Sequence, residues 1–348
     1  MFSKLKKLAF TAAVAAAMLP AVTAHAQDVE GDGKPWHDYY DALKGKKVAF
    51  VPMSLSFDLA QIYDGAMKQY ADYMGFEYIS RDPNWSVEGA VQIAEQYVDE
   101  HPDVMVIHPL DDKAFTRVVK KAQKEGIYVI FMNLRNGSGT DSMEGDAYIG
   151  PDFFQFGQRK VQLAADYCKD SESKKIIMVQ AGATNSVGIT ETNGSLWELK
   201  HNHPELNLVA MQSAEADPAK AKAIVATALK QHPDVCAIID QWEGGAIGIP
   251  PAVEEAGLRD KIKIITSGGG SQVNGCDMIN AGKYDAYISY NAGHQTYMLK
   301  SLIAQVLQTK PVPGETQFSV YNDYVVITKD TMTANSCWDI NYYTRPLK

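Results

Sequence analysis

HPDVMVIHP (His101–Pro109) and HPDVCAIID (His232–Asp240) are one element written twice. Each follows a helical run, opens on His-Pro-Asp-Val and continues as a short apolar stretch without polar alternation. Such a stretch suits a strand buried on both faces. Three further pairs flank this one. Lys46-Lys47-Val48 opens KKVAFVPMS and Lys174-Lys175-Ile176 opens KKIIMVQAG. Asp82-Pro83 and Asp217-Pro218 each start a helical run, and Gly126 and Gly257 each stop one before the next strand. For the Lys-Lys, Asp-Pro, His-Pro-Asp-Val and Gly pairs the separations are 128, 135, 131 and 131 residues. A near-constant offset across four matches marks an internal duplication, and a repeat of this kind decides the architecture.

Each copy reads strand, helix, strand, helix, strand, helix, strand. Strands alternating with helices imply parallel sheets with right-handed crossovers. The expected fold is therefore α/β, with two similar doubly wound parallel-sheet lobes. Beyond the second copy lie KYDAYISYNAG, a helical run at about 294–308 and QFSVYNDYVVITKD. These fit elements that cross back between the lobes as a multi-strand hinge. The expected boundaries are 27–150 with about 290–320 for the first lobe, and 151–289 with about 321–348 for the second. In doubly wound sheets ligands bind beyond the carboxyl ends of the strands. Two facing lobes bring two such rims together.

The chain opens with Lys4, Lys6 and Lys7, an apolar run from Leu8 to Val22, and Ala24-His25-Ala26. That order reads as a secretory signal peptide over 1–26, so an exported, periplasmic product is expected. Its apolar core falls short of the roughly 20 residues that span a bilayer. The formal charge is −9, and losing the three leader lysines makes it −12. Nucleic acid and anionic membrane both call for a basic face, so neither is expected as a partner. The four cysteines divide by context. Cys168, in a helical pattern, and Cys236, in an apolar strand run, read as buried thiols. Cys276 and Cys337, in polar surroundings, are the candidate disulfide pair.

Motifs of covalent chemistry are missing. Ser267-Gly268-Gly269-Gly270 follows a strand but lacks the Gly-Lys-Ser/Thr ending of a phosphate loop, and Val273 stands where a dinucleotide fingerprint needs its third glycine. A tight turn at a ligand rim is the reading preferred. His201-Asn202-His203 lacks metal-ligand spacing and reads as a surface turn. No GxSxG elbow or HExxH is present, so no catalytic residue, metal or cofactor is expected. The strand-end loops instead offer aromatic rings beside hydrogen-bonding groups. The first copy supplies Ser56, Phe57 and Asp58, then Trp85, His108 with Asp111, and Asn133 with Arg135. The second supplies Thr190, Glu191 and Asn193, then Trp242 with Glu243, and Ser271. Tyr290 stands near the expected crossing. Amides and carboxylates match the hydroxyls of a sugar or polyol, ring faces cover its C–H surface, and an arginine forks across two oxygens.

With those segments in hand, the chain resembles the periplasmic sugar-binding proteins of the ribose-binding type, over about 46–330. The resemblance is carried by VAFVPMSLSFDLAQIYDGAMKQYADYMG, DVMVIHPLDDKAFTRVVKKAQKEGIYVIFMN, HPDVCAIIDQWEGGAIGIPPAVEEAG and IKIITSGGGSQVNGCDMINAGKYDAYISY. It implies the type 1 periplasmic binding fold, a monomer whose cleft closes on a small polar ligand, and docking on an ABC permease in the inner membrane. The family's ligand positions fall on Ser56 to Asp58, Asn133 to Arg135, Thr190 to Asn193, Trp242, Gly270 or Ser271, and Tyr290. Departures stand at several of them. Asn133-Leu134-Arg135 replaces an Asp-Arg pair, Ile189-Thr190-Glu191 lacks an expected arginine, and Gly270-Ser271 lacks an aspartate. Asp58 and Leu59 stand where the ribose type carries two phenylalanines. These argue against ribose itself and leave another sugar, a polyol or, caged by acids and rings, a small amine. A receptor feeding a membrane sensor is the alternative use of the same fold.

Overall fold

The Lys-Lys openings of the two copies become the first strands of two separate sheets. A computed structural model describes residues 34–111, 113–135, 144–184 and 186–345. The leader expected over 1–26 and the loop residues 136–138 lie outside the described residues. The first lobe runs α1 (Lys34–Leu43), β1 (Lys47–Val51), α2 (Asp58–Met74), β2 (Glu77–Ser80), α3 (Val87–Asp99), β3 (Val104–Ile107), α4 (Thr116–Lys124), β4 (Tyr128–Met132) and β5 (Ala147–Pro151). The second runs α5 (Phe153–Cys168), β6 (Lys175–Gln180), α6 (Ser186–His201), β7 (Asn207–Ser213), α7 (Pro218–Gln231) and β8 (Ala237–Asp240). It continues with α8 (Glu243–Ala246), α9 (Ile249–Glu255), β9 (Lys263–Gly268), a π-helical turn at Gln272–Cys276 leading into α10 (Asp277–Asn280), and β10 (Ala286–Ser289). The chain then crosses back through α11 (Ala292–Thr309), β11 (Phe318–Asn322), β12 (Val325–Ile327) and α12 (Ile340–Thr344).

The sheets have the same strand order, β11-β5-β4-β3-β1-β2 and β12-β10-β9-β8-β6-β7. Every pairing is parallel except β10 with β12. β3, β4 and β8 are buried along their whole length, as their unbroken apolar runs require. Three crossings join the two sheets: β5 into α5, β10 into α11, and β11 into β12.

The duplicated motifs turn out to be partners. Lys46 Nζ and the Lys47 amide both donate to Asp103, each at 2.9 Å, while Lys175 Nζ donates to Asp234 at 2.8 and 3.0 Å. The start of each first strand is thus clamped to the His-Pro-Asp-Val turn at the end of the lobe away from the cleft. Gly126 (φ 80°) and Gly257 (φ 69°) end α4 and α9 in the left-handed region, as expected of helix stops.

Two features differ from the expectation. Cys168 and Cys236 are joined in a disulfide that ties α5 to β8, alongside the expected Cys276–Cys337 bridge. The fold brings a helical and a strand cysteine together, which no local pattern reveals. The tail, expected with the second lobe, is shared. Cys337 and Trp338 hold it to the second lobe, after which α12 packs on α2 of the first, with Gln69 Nε2 donating to the Tyr342 carbonyl at 3.4 Å.

Candidate ligand-binding cleft

Both rims of strand ends face one another, and the lobes touch across the gap. Asn274 Nδ2 of the second lobe donates to Asp58 Oδ2 at the head of α2 at 3.0 Å. Leu59 lies beside Gly269, where an added Cβ would meet its Cδ1 at 2.7 Å. Two adjoining cavities remain between the lobes. The inner one, about 300 Å³, has walls from Trp85, Trp242, Phe153, Tyr290, Met53 and Leu59, with His108, Asn133, Gln241, Ser267 and Glu215 among its polar lining. The outer one, about 350 Å³, is lined by Arg135, Tyr148, Asp152, Phe154, Ser186, Thr190, Asn193 and Tyr321. Asn133, Phe153 and Val187 line both.

Backbone strain concentrates at these rims. Asn84 (φ 52°), Trp85 (φ 63°), Asn133 (φ 61°) and Asn291 (φ 49°) occupy the left-handed region, which a tryptophan rarely adopts. The turn leaves Trp85 43% exposed. Its Nε1 donates to Ser56 Oγ at 2.9 Å, and its ring packs on Phe57 with centroids 4.9 Å apart. Ser56 and Phe57 therefore brace Trp85 from behind, while Asp58 makes the cross-lobe contact.

Asn133 sits in a buried network. Gln295 Nε2 of α11 donates to its Oδ1 at 2.8 Å, and the Tyr63 hydroxyl donates to Gln295 Oε1. Its Nδ2 lies 3.2 Å from His108 Nε2. An amide donor there makes Nε2 the acceptor and puts the imidazole proton on Nδ1, which has no partner among the described residues. Burial alone pushes the His108 pKa down to about 3, so the ring is neutral. His108 is thus neutral and held in place in the wall of the inner cavity. His108 directly follows β3, the strand-end position at which the sequence places a rim residue.

Of the residues expected at the site, Trp85, Asn133, Trp242 and Tyr290 line the inner cavity, and Asn133, Arg135, Thr190 and Asn193 line the outer. Glu191, expected at the wall, lies fully buried beneath it. Lys160 Nζ donates to Glu191 Oε1 at 2.5 Å, to Ser267 Oγ at 2.7 Å and to the Gln241 carbonyl at 3.1 Å. Helices α5 and α6 come close enough for this only because Gly157 and Gly194 face the partner helix; a Cβ on either would meet its backbone at 2.0 Å. Burial raises Glu191 to about 7 against the pull of Lys160. Glu243 is also buried, accepting from the Gly269 amide at 3.2 Å and from the Tyr287 hydroxyl, and burial raises it to about 7. Ser271 spends its hydroxyl capping Asn274 N at 3.2 Å. These three support the rim from beneath.

The glycine turn after β9 is a tight turn, with Gly270 at φ 84°. Trp338 of the tail covers it, donating from Nε1 to the Gly269 carbonyl at 2.7 Å. A second duplication also serves the site. Asp146-Ala147-Tyr148-Ile149 and Asp285-Ala286-Tyr287-Ile288 occupy matching strands. Asp146 and Asp285 each accept a backbone N–H from the neighbouring strand, at 2.7 and 2.9 Å. The two tyrosine hydroxyls hold the Asn133 carbonyl (3.0 Å) and the Gly270 amide (2.9 Å). This tetrapeptide repeat, not among the four pairs read from the sequence, is the signal by which Tyr148 and Tyr287 are found.

Two doubly wound lobes, three crossings and a walled cleft are the architecture of a type 1 periplasmic binding protein. The chain belongs to the family of the periplasmic binding protein domain, which it matches over residues 48–311. It is 26% identical to the D-ribose/D-allose-binding protein of Pseudomonas aeruginosa over 231 residues, 63% of this chain and 69% of the relative. It is 26% identical to the ribose import binding protein RbsB of Escherichia coli over 252 residues, 72% of this chain and 80% of the relative. Among solved structures, a solute-binding protein from Burkholderia graminis in complex with D-arabinose superposes with a TM-score of 0.72. That pair shares 20% identity over 84% of this chain and 98% of the other. A galactofuranose-binding protein superposes with a TM-score of 0.70 at 16% identity, over 82% and 95% of the two chains.

Proposed function

We propose that the protein is the exported, periplasmic solute-binding component of an ABC uptake system, and that it captures a sugar or polyol by hinge closure. The observation that carries this reading is the inner cavity, where the rings of Trp85, Trp242 and Phe153 stand beside Asn133, His108 and Gln241. Ring faces cover the C–H patches of a sugar while the polar groups serve its hydroxyls. The named functions of the relatives, ribose, allose and ribose-import binding, support the same class. The protein acts as a monomer, performs no catalysis, and its closed form docks on a permease in the inner membrane. Binding energy is spent on the closed state, which the lobe-to-lobe contact at Asp58 and Asn274 favours.

One observation favours a second reading. Glu215 joins the two tryptophans in the inner lining, and an acid among rings suits a small organic cation. A thermal-shift screen of the mature protein, unfolded and refolded to strip carried ligand, separates the two. A saturable rise of several degrees with a sugar or polyol supports the first reading. A rise confined to amines or amino acids overturns it.

A further inference from the structure

The outer cavity has its own chemistry, and a single sugar ring in the inner one leaves it unused. Each cavity alone, about 300 and about 350 Å³, stands at the small end of the roughly 300–1,000 Å³ of small-molecule sites. The two cavities adjoin along the walls they share, Asn133, Phe153 and Val187. Both persist while the lobes are in contact at Asp58 and Asn274, so the outer cavity is more than the gap of a parted cleft.

The outer lining pairs polar forks with ring faces. Arg135 lies over Tyr148 and Tyr321, its guanidinium carbon 4.9 and 5.3 Å from the two centroids, and makes no ion pair with any described residue. Stacking occupies the faces of the guanidinium and leaves its edge N–H groups to donate to paired oxygens. Asp152, the carboxylate of this cavity, is committed to the head of α5. Its Oδ1 accepts the Phe154 and Gln155 amides at 3.0 and 3.3 Å, and its Oδ2 accepts Gln155 Nε2 at 3.1 Å. Thr190 and Asn193, three apart on α6, share one face and bring a hydroxyl and an amide from the opposite lobe. Donors, acceptors and flat rings in one cavity are the groups that a second sugar ring uses.

We infer that the cleft is built for a two-ring solute: a sugar in the inner cavity joined by a glycosidic bond to a second sugar in the outer cavity, against Arg135, Thr190 and Asn193. The inference rests on the sugar-binding reading proposed above. Its test is calorimetric titration of the refolded mature protein. Free D-glucose, D-galactose, D-xylose and D-arabinose are compared with cellobiose, maltose, lactose, melibiose and xylobiose. The expected result is one disaccharide bound at least tenfold more tightly than either of its component sugars. In Arg135→Ala, and separately in Asn193→Ala, that preference falls toward one, with thermal unfolding confirming that each variant is folded. A structural role would weaken both kinds of ligand alike and leave the ratio unchanged. Free sugars bound as tightly as every disaccharide, or a ratio unmoved in both variants, overturns the two-ring inference and leaves the sugar-binding reading standing. Binding of no carbohydrate at all overturns both.

Discussion

Lys160→Met removes the cation on which the second-lobe rim rests. The side chain is fully buried, with Nζ donating to Glu191, Ser267 and the Gln241 carbonyl at 2.5, 2.7 and 3.1 Å. Breaking a buried pair from one side costs about 3–5 kcal/mol. The pH dependence carries a definite sign. Burial already raises Glu191 to about 7, and Lys160 is what holds it from rising further. An acid raised in the folded state contributes stability that is present below its ordinary carboxylate pKa and is lost as pH climbs through the folded value. Without Lys160 the folded variant keeps a proton above pH 7 that the wild type releases. The deficit is therefore constant below about pH 7 and grows above it, by about 1.4 kcal/mol per pH unit for each retained proton. Asp240, also raised to about 7 by burial and drawn down by Lys160, adds in the same direction. At roughly 2–4 °C per kcal/mol for a unit of this size, the retained proton alone widens the melting gap by at least about 4 °C between pH 7 and pH 8.5. Thermal unfolding without ligand at pH 5.5, 6.5, 7.5 and 8.5 reads both quantities. A gap that stays flat to pH 8.5, or narrows with rising pH, refutes the charged buried pair. The double variant Lys160→Met/Glu191→Leu recovers most of the loss and keeps only the Asp240 part of the slope, because an apolar pair carries no desolvated charge.

Trp242→Ala removes one ring face of the inner cavity and weakens the best-bound sugar by about tenfold to a hundredfold in calorimetry; an unchanged Kd takes Trp242 out of the contact. Asn274→Ala deletes the 3.0 Å cross-lobe bond, worth about 0.5–1.5 kcal/mol, so ligand dissociates about two- to tenfold faster in stopped-flow fluorescence. An unaltered rate removes that contact from the closed state. Cys337→Ser opens a bridge spanning 61 residues and costs about 4 kcal/mol by loop-closure entropy, a fall of roughly 8–16 °C in Tm. A loss below about 2 °C shows that the tail is held by its packing alone.

The repeat made the fold legible because each duplicated motif reports a local rule: an apolar run for a buried strand, a glycine for a helix end. Those rules act within a few residues, so the alternation of strands and helices, the lobe count and the loops that form the rims could all be read along the chain. Trp85, Asn133, Arg135, Trp242 and Tyr290 follow from their places at strand ends or crossings. The same reasoning misplaced Glu191, Glu243 and Ser271 in emphasis, since a rim position does not say whether a side chain points into the cleft or under it. For Glu191 the deciding partner, Lys160, is 31 residues away on another helix, brought close by two glycines whose role is visible only in the packing.

What lies between elements distant in sequence was settled by tertiary structure alone. The Cys168–Cys236 bridge joins residues 68 apart, the Tyr63–Gln295–Asn133 network spans three elements, and the tail ties the glycine turn of one lobe to a helix of the other. Periodicity and capping are nearest-neighbour physics and are written in the order of residues. Burial, desolvation and the division of the cleft into two cavities depend on which surfaces meet, and the sequence specifies that only through the folded whole.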